Sequence, residues 1–132
     1  MRTSKLLMVV GFLLSAHCVF AHDDCRRDDD ETLLVWAGDE AHEAPDFLAV
    51  IDFDRDSRSY GKVIRTVPLP AAVLGKGAVG NEPHHAGLSQ DGRTLALGGL
   101  LSFLRSQPQV FFFDVSRPRH PRFIGANLPS GS

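Results

Sequence analysis

The 132-residue chain has little cysteine, only Cys18 and Cys25. Cys18 lies in an N-terminal segment with the features of a secretory signal, and its removal leaves Cys25 alone. One thiol makes no internal disulfide, so a disulfide-stapled scaffold is excluded. An excess of positive charge is also lacking. Fourteen Lys and Arg face sixteen Asp and Glu, for a net charge of −2, and loss of Arg2 and Lys5 with the signal makes the remainder more acidic. Nothing is basic enough to engage nucleic acid. No Asn-x-Ser/Thr sequon occurs. After residue 21 no apolar run approaches the roughly 20 residues that span a bilayer, so no stable membrane insertion is expected once the signal is gone. Outside the signal there is no sustained i, i+3, i+4 apolar stripe. No Ser-His-Asp set, carboxylate pair or Cys-x-x-Cys motif can be nominated.

What is present begins with export. Residues 1–21 have a basic start at Arg2 and Lys5, an uncharged apolar run from Leu6 to Leu14, and Val19-Phe20-Ala21 as a small-residue cleavage site. An uncleaved anchor helix is the alternative. His17 precedes Cys18, which argues against lipidation. The expected destination is secreted or periplasmic. Residues 22–31 are a charge run, His22-Asp23-Asp24-Cys25-Arg26-Arg27-Asp28-Asp29-Asp30-Glu31, expected to be a solvated leader.

From residue 32 to 132 the chain is a series of short β-type runs broken by Gly, Pro, Asp and Ser. They are Thr32–Ala37, Phe47–Phe53, Lys62–Val67, Thr94–Leu97, Val110–Val115 and Arg122–Ile124. A faint internal repeat links Ala49-Val50-Ile51-Asp52-Phe53-Asp54 to Phe111-Phe112-Phe113-Asp114-Val115-Ser116, each followed by a basic residue and another strand. Between them, Leu88 to Ala96 forms a hairpin with an Asp91-Gly92 turn. The strand–Asp turn–strand unit matches the outer hairpin of a β-propeller blade. The fold class expected is therefore all-β, a partial β-propeller of about one and a half blades preceded by a signal peptide. Such sheets bury their faces only against neighbours. A small β-sandwich is the alternative.

Few residues point to chemistry. His84-His85 is placed in a loop, Gly80 to Gly87, just before a strand. Adjacent side chains on an extended chain point to opposite sides, so both can hold one metal only if the backbone bends there. Imidazole suits copper, zinc, iron and nickel. Ordinary loop histidines are the alternative. Gly75-Lys76-Gly77-Ala78-Val79-Gly80 fits G-x-G-x-x-G, but prolines flank it and no helix pattern follows, so it is expected to be a loop rather than a dinucleotide site. His22, as a mature N-terminus, could chelate copper with its own amine. His42 and His120 are isolated and expected to be exposed. Asp52, Asp54 and Asp56 lack the glycine and distal glutamate of an EF-hand loop and are expected to be turn residues.

Several segments in order resemble the selenium-binding protein family, which includes the bacterial methanethiol oxidases. They are Glu43 to Asp52, Tyr60-Gly61-Lys62-Val63-Ile64, Val67-Pro68-Leu69-Pro70, Asn81-Glu82-Pro83-His84-His85-Ala86-Gly87, Leu97 to Ser102, and Phe112-Phe113-Asp114-Val115 with Pro118 and Pro121. The resemblance implies a propeller of several blades in a much longer chain. It implies oxidation of methanethiol with O2 and water to formaldehyde, hydrogen sulfide and hydrogen peroxide, and copper held by histidines. Of those ligands only the double histidine carries over, onto His84 and His85. In animal members a cysteine associated with selenium follows the tyrosine of the Tyr-x-x-Val-Ile segment; here that place is Gly61, which argues against selenium binding there. A non-catalytic selenium- or metal-binding protein, or an inactive truncated product, are the rival expectations.

Overall fold

The computed structural model describes residues 10–14, 31–75, 80 and 82–127. Residues 22–30 of the charged leader, with His22 and Cys25, as well as Cys18 and the centre of the glycine motif, 76–79, lie outside them. Eight strands run in chain order: β1 (Val10–Leu14), β2 (Thr32–Ala37), β3 (Phe47–Asp52), β4 (Val63–Pro68), β5 (Pro83–Leu88), β6 (Thr94–Gly99), β7 (Val110–Asp114) and β8 (Arg122–Ala126). They form two antiparallel four-stranded sheets, ordered β1-β2-β3-β4 and β5-β6-β7-β8. Each sheet is a plain meander whose neighbours in sequence are neighbours in space, the commonest connection pattern.

The expectation of a nearly all-β chain therefore holds. Where the sequence suggests about one and a half four-stranded units, the described residues form two. One added strand is β1, drawn from the apolar run of the expected signal. The other is β5, which carries the histidine pair expected in a loop. Two short helical pieces were not legible either. Ala71–Leu74 makes one α-helical turn after Pro70, and Leu100–Arg105 makes a 3-10 helix after β6. Both are too short to produce an amphipathic period.

The sheets pack face to face. Period-two alternation sends Leu34 and Trp36 of β2 and Leu48 and Val50 of β3 inward from the first sheet. Leu95 and Leu97 of β6, Phe111 and Phe113 of β7, and Val115 meet them from the second. Phe111 and Phe113 are fully buried, and Trp36 stacks obliquely on both, with ring centroids 6.2 and 6.4 Å away. Full burial of side chains of this size contributes roughly 1.5–3 kcal/mol each, before entropy is charged against it.

The internal repeat is real in three dimensions. Thr32 pairs with Asp52 in the first sheet, and Thr94 with Asp114 in the second. Phe53 N–H donates to Glu31 O at 2.9 Å, and Val115 N–H to Arg93 O at 2.8 Å. Each aspartate then caps its own turn: Asp52 accepts from Asp54 N–H and Asp114 from Ser116 N–H. Asp54 in turn accepts from Asp56 N–H at 2.9 Å. Asp54 and Asp56 are turn residues, as expected, whereas Asp52 is the last residue of β3 and caps the turn that follows it.

Candidate functional site

Pro83 opens β5 and the pairing of β5 with β6 slips immediately after it. Pro83 faces Gly99, but the next regular pair is Ala86 with Leu97. The irregularity spans His84 and His85. A bulge leaves residues out of the ladder and bends the strand, and this bend supplies what two adjacent histidines need. Their Nδ1 atoms lie 2.6 Å apart, and the ring centroids 4.0 Å. One Nδ1–H donates a hydrogen bond to the other, unprotonated Nδ1, the direction being set by the tautomers. His84 is half-buried and His85 exposed.

The strand beneath the pair is held from both sheets. Gly98 lies under His85, where a side-chain carbon would stand 3.6 Å from the His85 Cβ. The Gly98 carbonyl accepts a hydrogen bond from Trp36 Nε1 at 2.9 Å. Gly38, just past β2, approaches Pro83 so closely that an added Cβ would lie 3.0 Å from the proline Cδ. Beside the histidines a cavity of about 550 Å³ opens over Ala96, Gly98, Gly99 and Val110. Its floor is small and apolar.

The other sequence candidates fall elsewhere. His42 and His120 are exposed; His120 Nδ1 shares a 3.2 Å contact with Arg65. Asp52 is sealed from solvent in its turn. Hydrogen bonds from the Ser57 and Ser59 hydroxyls, helped by Arg119 at 3.6 Å, pull its carboxyl down to about 2. Asp114 is held well below the usual carboxylate range by Ser116 and by Arg122 at 2.6 Å. Both are braces, remote from the cavity lining. Gly61 sits at φ +75° and donates its N–H to Asp52 O at 2.7 Å. The turn there favours glycine, so a cysteine at this place would be strained.

As a metal centre the histidine pair is partial. Two convergent imidazole nitrogens suit copper in kind. Among the described residues no group of three or more His, Cys, Asp or Glu gathers around a common point. The donors present fit two ligands of a larger set. No signal in the sequence pointed to Gly38, Trp36 or Gly98 as supports, because each acts through distance rather than residue type.

No family model matches the chain. Among curated proteins it is 35% identical over 101 residues to methanethiol oxidase from Hyphomicrobium sp., covering 72% of this chain and 19% of the relative. The chain thus spans about a fifth of the length of that relative. Among solved structures it is similar to the crystal structure of a hypothetical selenium-binding protein from Sulfolobus tokodaii, at 27% identity and a TM-score of 0.49, over 66% of this chain and 20% of the other. The match to methanethiol oxidase agrees with the ordered segments of the sequence and supports the resemblance to the selenium-binding protein family.

Proposed function

We propose that the chain is the N-terminal part of an exported methanethiol oxidase in which His84 and His85 hold copper. The overall reaction takes one methanethiol, one dioxygen and one water to one formaldehyde, one hydrogen sulfide and one hydrogen peroxide. The methanethiol carbon gives up two electrons, and dioxygen accepts them. The observation that carries the reading is the convergence of the two Nδ1 atoms, 2.6 Å apart at a register break, in a chain 35% identical to methanethiol oxidase over 101 residues. In this reading the two meanders are blades of a propeller whose other blades, and further copper ligands, lie elsewhere in the polypeptide.

The chain's own residues have defined tasks. His84 and His85 bind through Nδ1, oriented by the bulge and by Pro83. Ala96, Gly98 and Val110 form an apolar wall that suits a one-carbon thiol and keeps water off one side of it. Copper, when bound, supplies one-electron redox chemistry and makes a coordinated thiol acidic.

The test is copper content and the nitrogen hyperfine pattern of the copper EPR signal in the exported protein, with and without His84→Ala plus His85→Ala. Loss of copper and of methanethiol-dependent peroxide is expected. Unchanged copper in the double variant would sink the assignment. A second reading, a metal-binding protein without turnover, is favoured by the two-donor character of the described site. Histidine-dependent copper with no peroxide from methanethiol would establish it instead.

A further inference from the structure

The chain enters the histidine strand through a backbone conformation that its residues disfavour. Among the described residues, the non-glycines at positive φ are His42, Glu82 and Ser106. Ser106 ends the 3-10 helix, where a left-handed residue is ordinary. His42 sits in the loop between β2 and β3. Glu82 stands at φ 53°, immediately before Pro83. Any side chain disfavours that region, and a following proline pushes the residue before it toward extended backbone. Glu82 is thus strained on two counts. Its side chain is exposed, so what distinguishes the position is its backbone.

The strain is held from several sides, as it must be to persist. The Glu82 carbonyl accepts the Leu100 N–H at 3.0 Å, just past the end of β6. Two residues upstream, Gly80 N–H donates to Ala44 O at 3.1 Å. A Cβ on Gly80 would stand 3.0 Å from His42 Nδ1 and 3.3 Å from Oδ1 of the buried Asp46. Downstream, Pro83 lies against Gly38. Neither Gly38 nor Gly80 has a left-handed φ; both are bare because their neighbours press on them.

These constraints decide where the register slip falls. Pro83 lies opposite Gly99 and Ala86 opposite Leu97, so β5 takes three steps where β6 takes two. Glu82 cannot shift while Leu100 holds it. Proline has a fixed φ of roughly −65° and absorbs none of the excess. The ladder is regular from Ala86 onward. The extra residue is left to His84 and His85, and the bend it makes turns both rings to one side.

We infer that Glu82 is a positioning residue: its left-handed backbone, pinned by Leu100, confines the slip to the two histidines and so aims both Nδ1 atoms at one point. The carboxylate takes no part. The inference rests on the histidine pair as the functional centre but not on copper, so its first measurement is made without metal.

The test is the imidazole nitrogen NMR spectrum of the whole, metal-free chain. The parent is expected to show one Nδ1–H held in a hydrogen bond between His84 and His85. Glu82→Asn and Glu82→Gly, which tolerate positive φ, are expected to keep it. Glu82→Val, whose branched side chain resists that backbone, is expected to lose it. So is Leu100→Pro, which removes the pinning donor. Gly99 already lies at φ −119° and ψ 115°, the extended backbone that a following proline favours. The Trp36 indole N–H, bonded to Gly98 O, reports in each spectrum whether the sheets remain packed. A shared proton that survives Glu82→Val or Leu100→Pro in a folded chain overturns the inference. So does its loss in Glu82→Asn, which would assign the role to the carboxylate. If Glu82→Val unfolds the chain, Leu100→Pro decides. Glu82→Gly is also expected to raise the urea midpoint, and a lower midpoint would remove the stored strain and the inference with it. Copper(II) is added last, and Leu100→Pro is expected to bind it about tenfold more weakly than the parent. Equal affinity in every variant, with the shared proton behaving as expected, overturns the copper reading and leaves the positioning role standing.

Discussion

Trp36 and Gly98 stand at the same position in successive sheets, 62 residues apart, and the indole Nε1 of one donates to the carbonyl of the other at 2.9 Å. The bond ties the sheets together at the strand that underlies His85. The link is thus both a packing contact and a support for the candidate metal pair.

Trp36→Phe keeps most of the buried ring but strands the Gly98 carbonyl. The expected loss is about 1–2 kcal/mol, the cost of one unmade hydrogen bond in a partly buried place. Trp36→Ala adds a cavity against Phe111 and Phe113, for about 3–5 kcal/mol. Urea denaturation of the whole chain measures both. A Trp36→Phe variant as stable as the parent would mean that the hydrogen bond contributes nothing.

Gly38→Ala would push a methyl group to 3.0 Å from Pro83 Cδ and 3.1 Å from Asp46 Oδ1. The proline ring cannot rotate away, so a loss of about 1–2 kcal/mol is expected from overpacking. Gly87→Ala on β5 meets nothing within 4 Å and is expected to stay within about 0.5 kcal/mol of the parent. Thermal melts of the two variants side by side decide the matter.

His84→Ala and His85→Ala, made singly, each remove one of two convergent nitrogens. Either is expected to weaken copper binding by more than about tenfold, read by competition with a chromogenic chelator. An effect from only one of the two would mean that the pair does not share a metal.

Acid should act through Asp52. Its carboxyl titrates near 2 in the folded chain against 3.8 unperturbed, because Ser57 and Ser59 donate to the charged form. The folded pKa is depressed, so the stabilisation is complete above pH about 4 and is lost as pH falls toward 2. Asp52→Asn is expected to flatten the fall in urea midpoint across that window. A variant that loses stability with acid as steeply as the parent would remove Asp52 as the cause.

Much of the second to fourth strand of each sheet was legible because alternation and turn chemistry are local. Thr94–Leu97 and Val110–Val115 alternate around an Asp-Gly turn and an Asp turn, and the structure makes them β6 and β7. The histidine pair was legible as residue type, and the need for a backbone bend followed from strand geometry. That the bend would be a bulge inside β5 was not, because a register slip depends on the partner strand, including Gly99 opposite Pro83. β1 was hidden for a different reason. An uncharged apolar run has the same composition whether it crosses a membrane interface or lies along β2.

The Arg119–Asp52 contact gives folding a direction. Asp52 lies in the first sheet's turn, while its arginine lies in the hairpin loop of the second, 3.6 Å away. The equivalent aspartate, Asp114, is closed by Arg122 eight residues on in the same hairpin. On a ribosome the second turn can be completed as soon as its own hairpin emerges. The first also closes locally, through Ser57 and Ser59, but its ion pair must wait until residue 119 has left the exit tunnel. Synthesis from the N-terminus therefore delivers the charge partner of the older turn last, with the younger sheet.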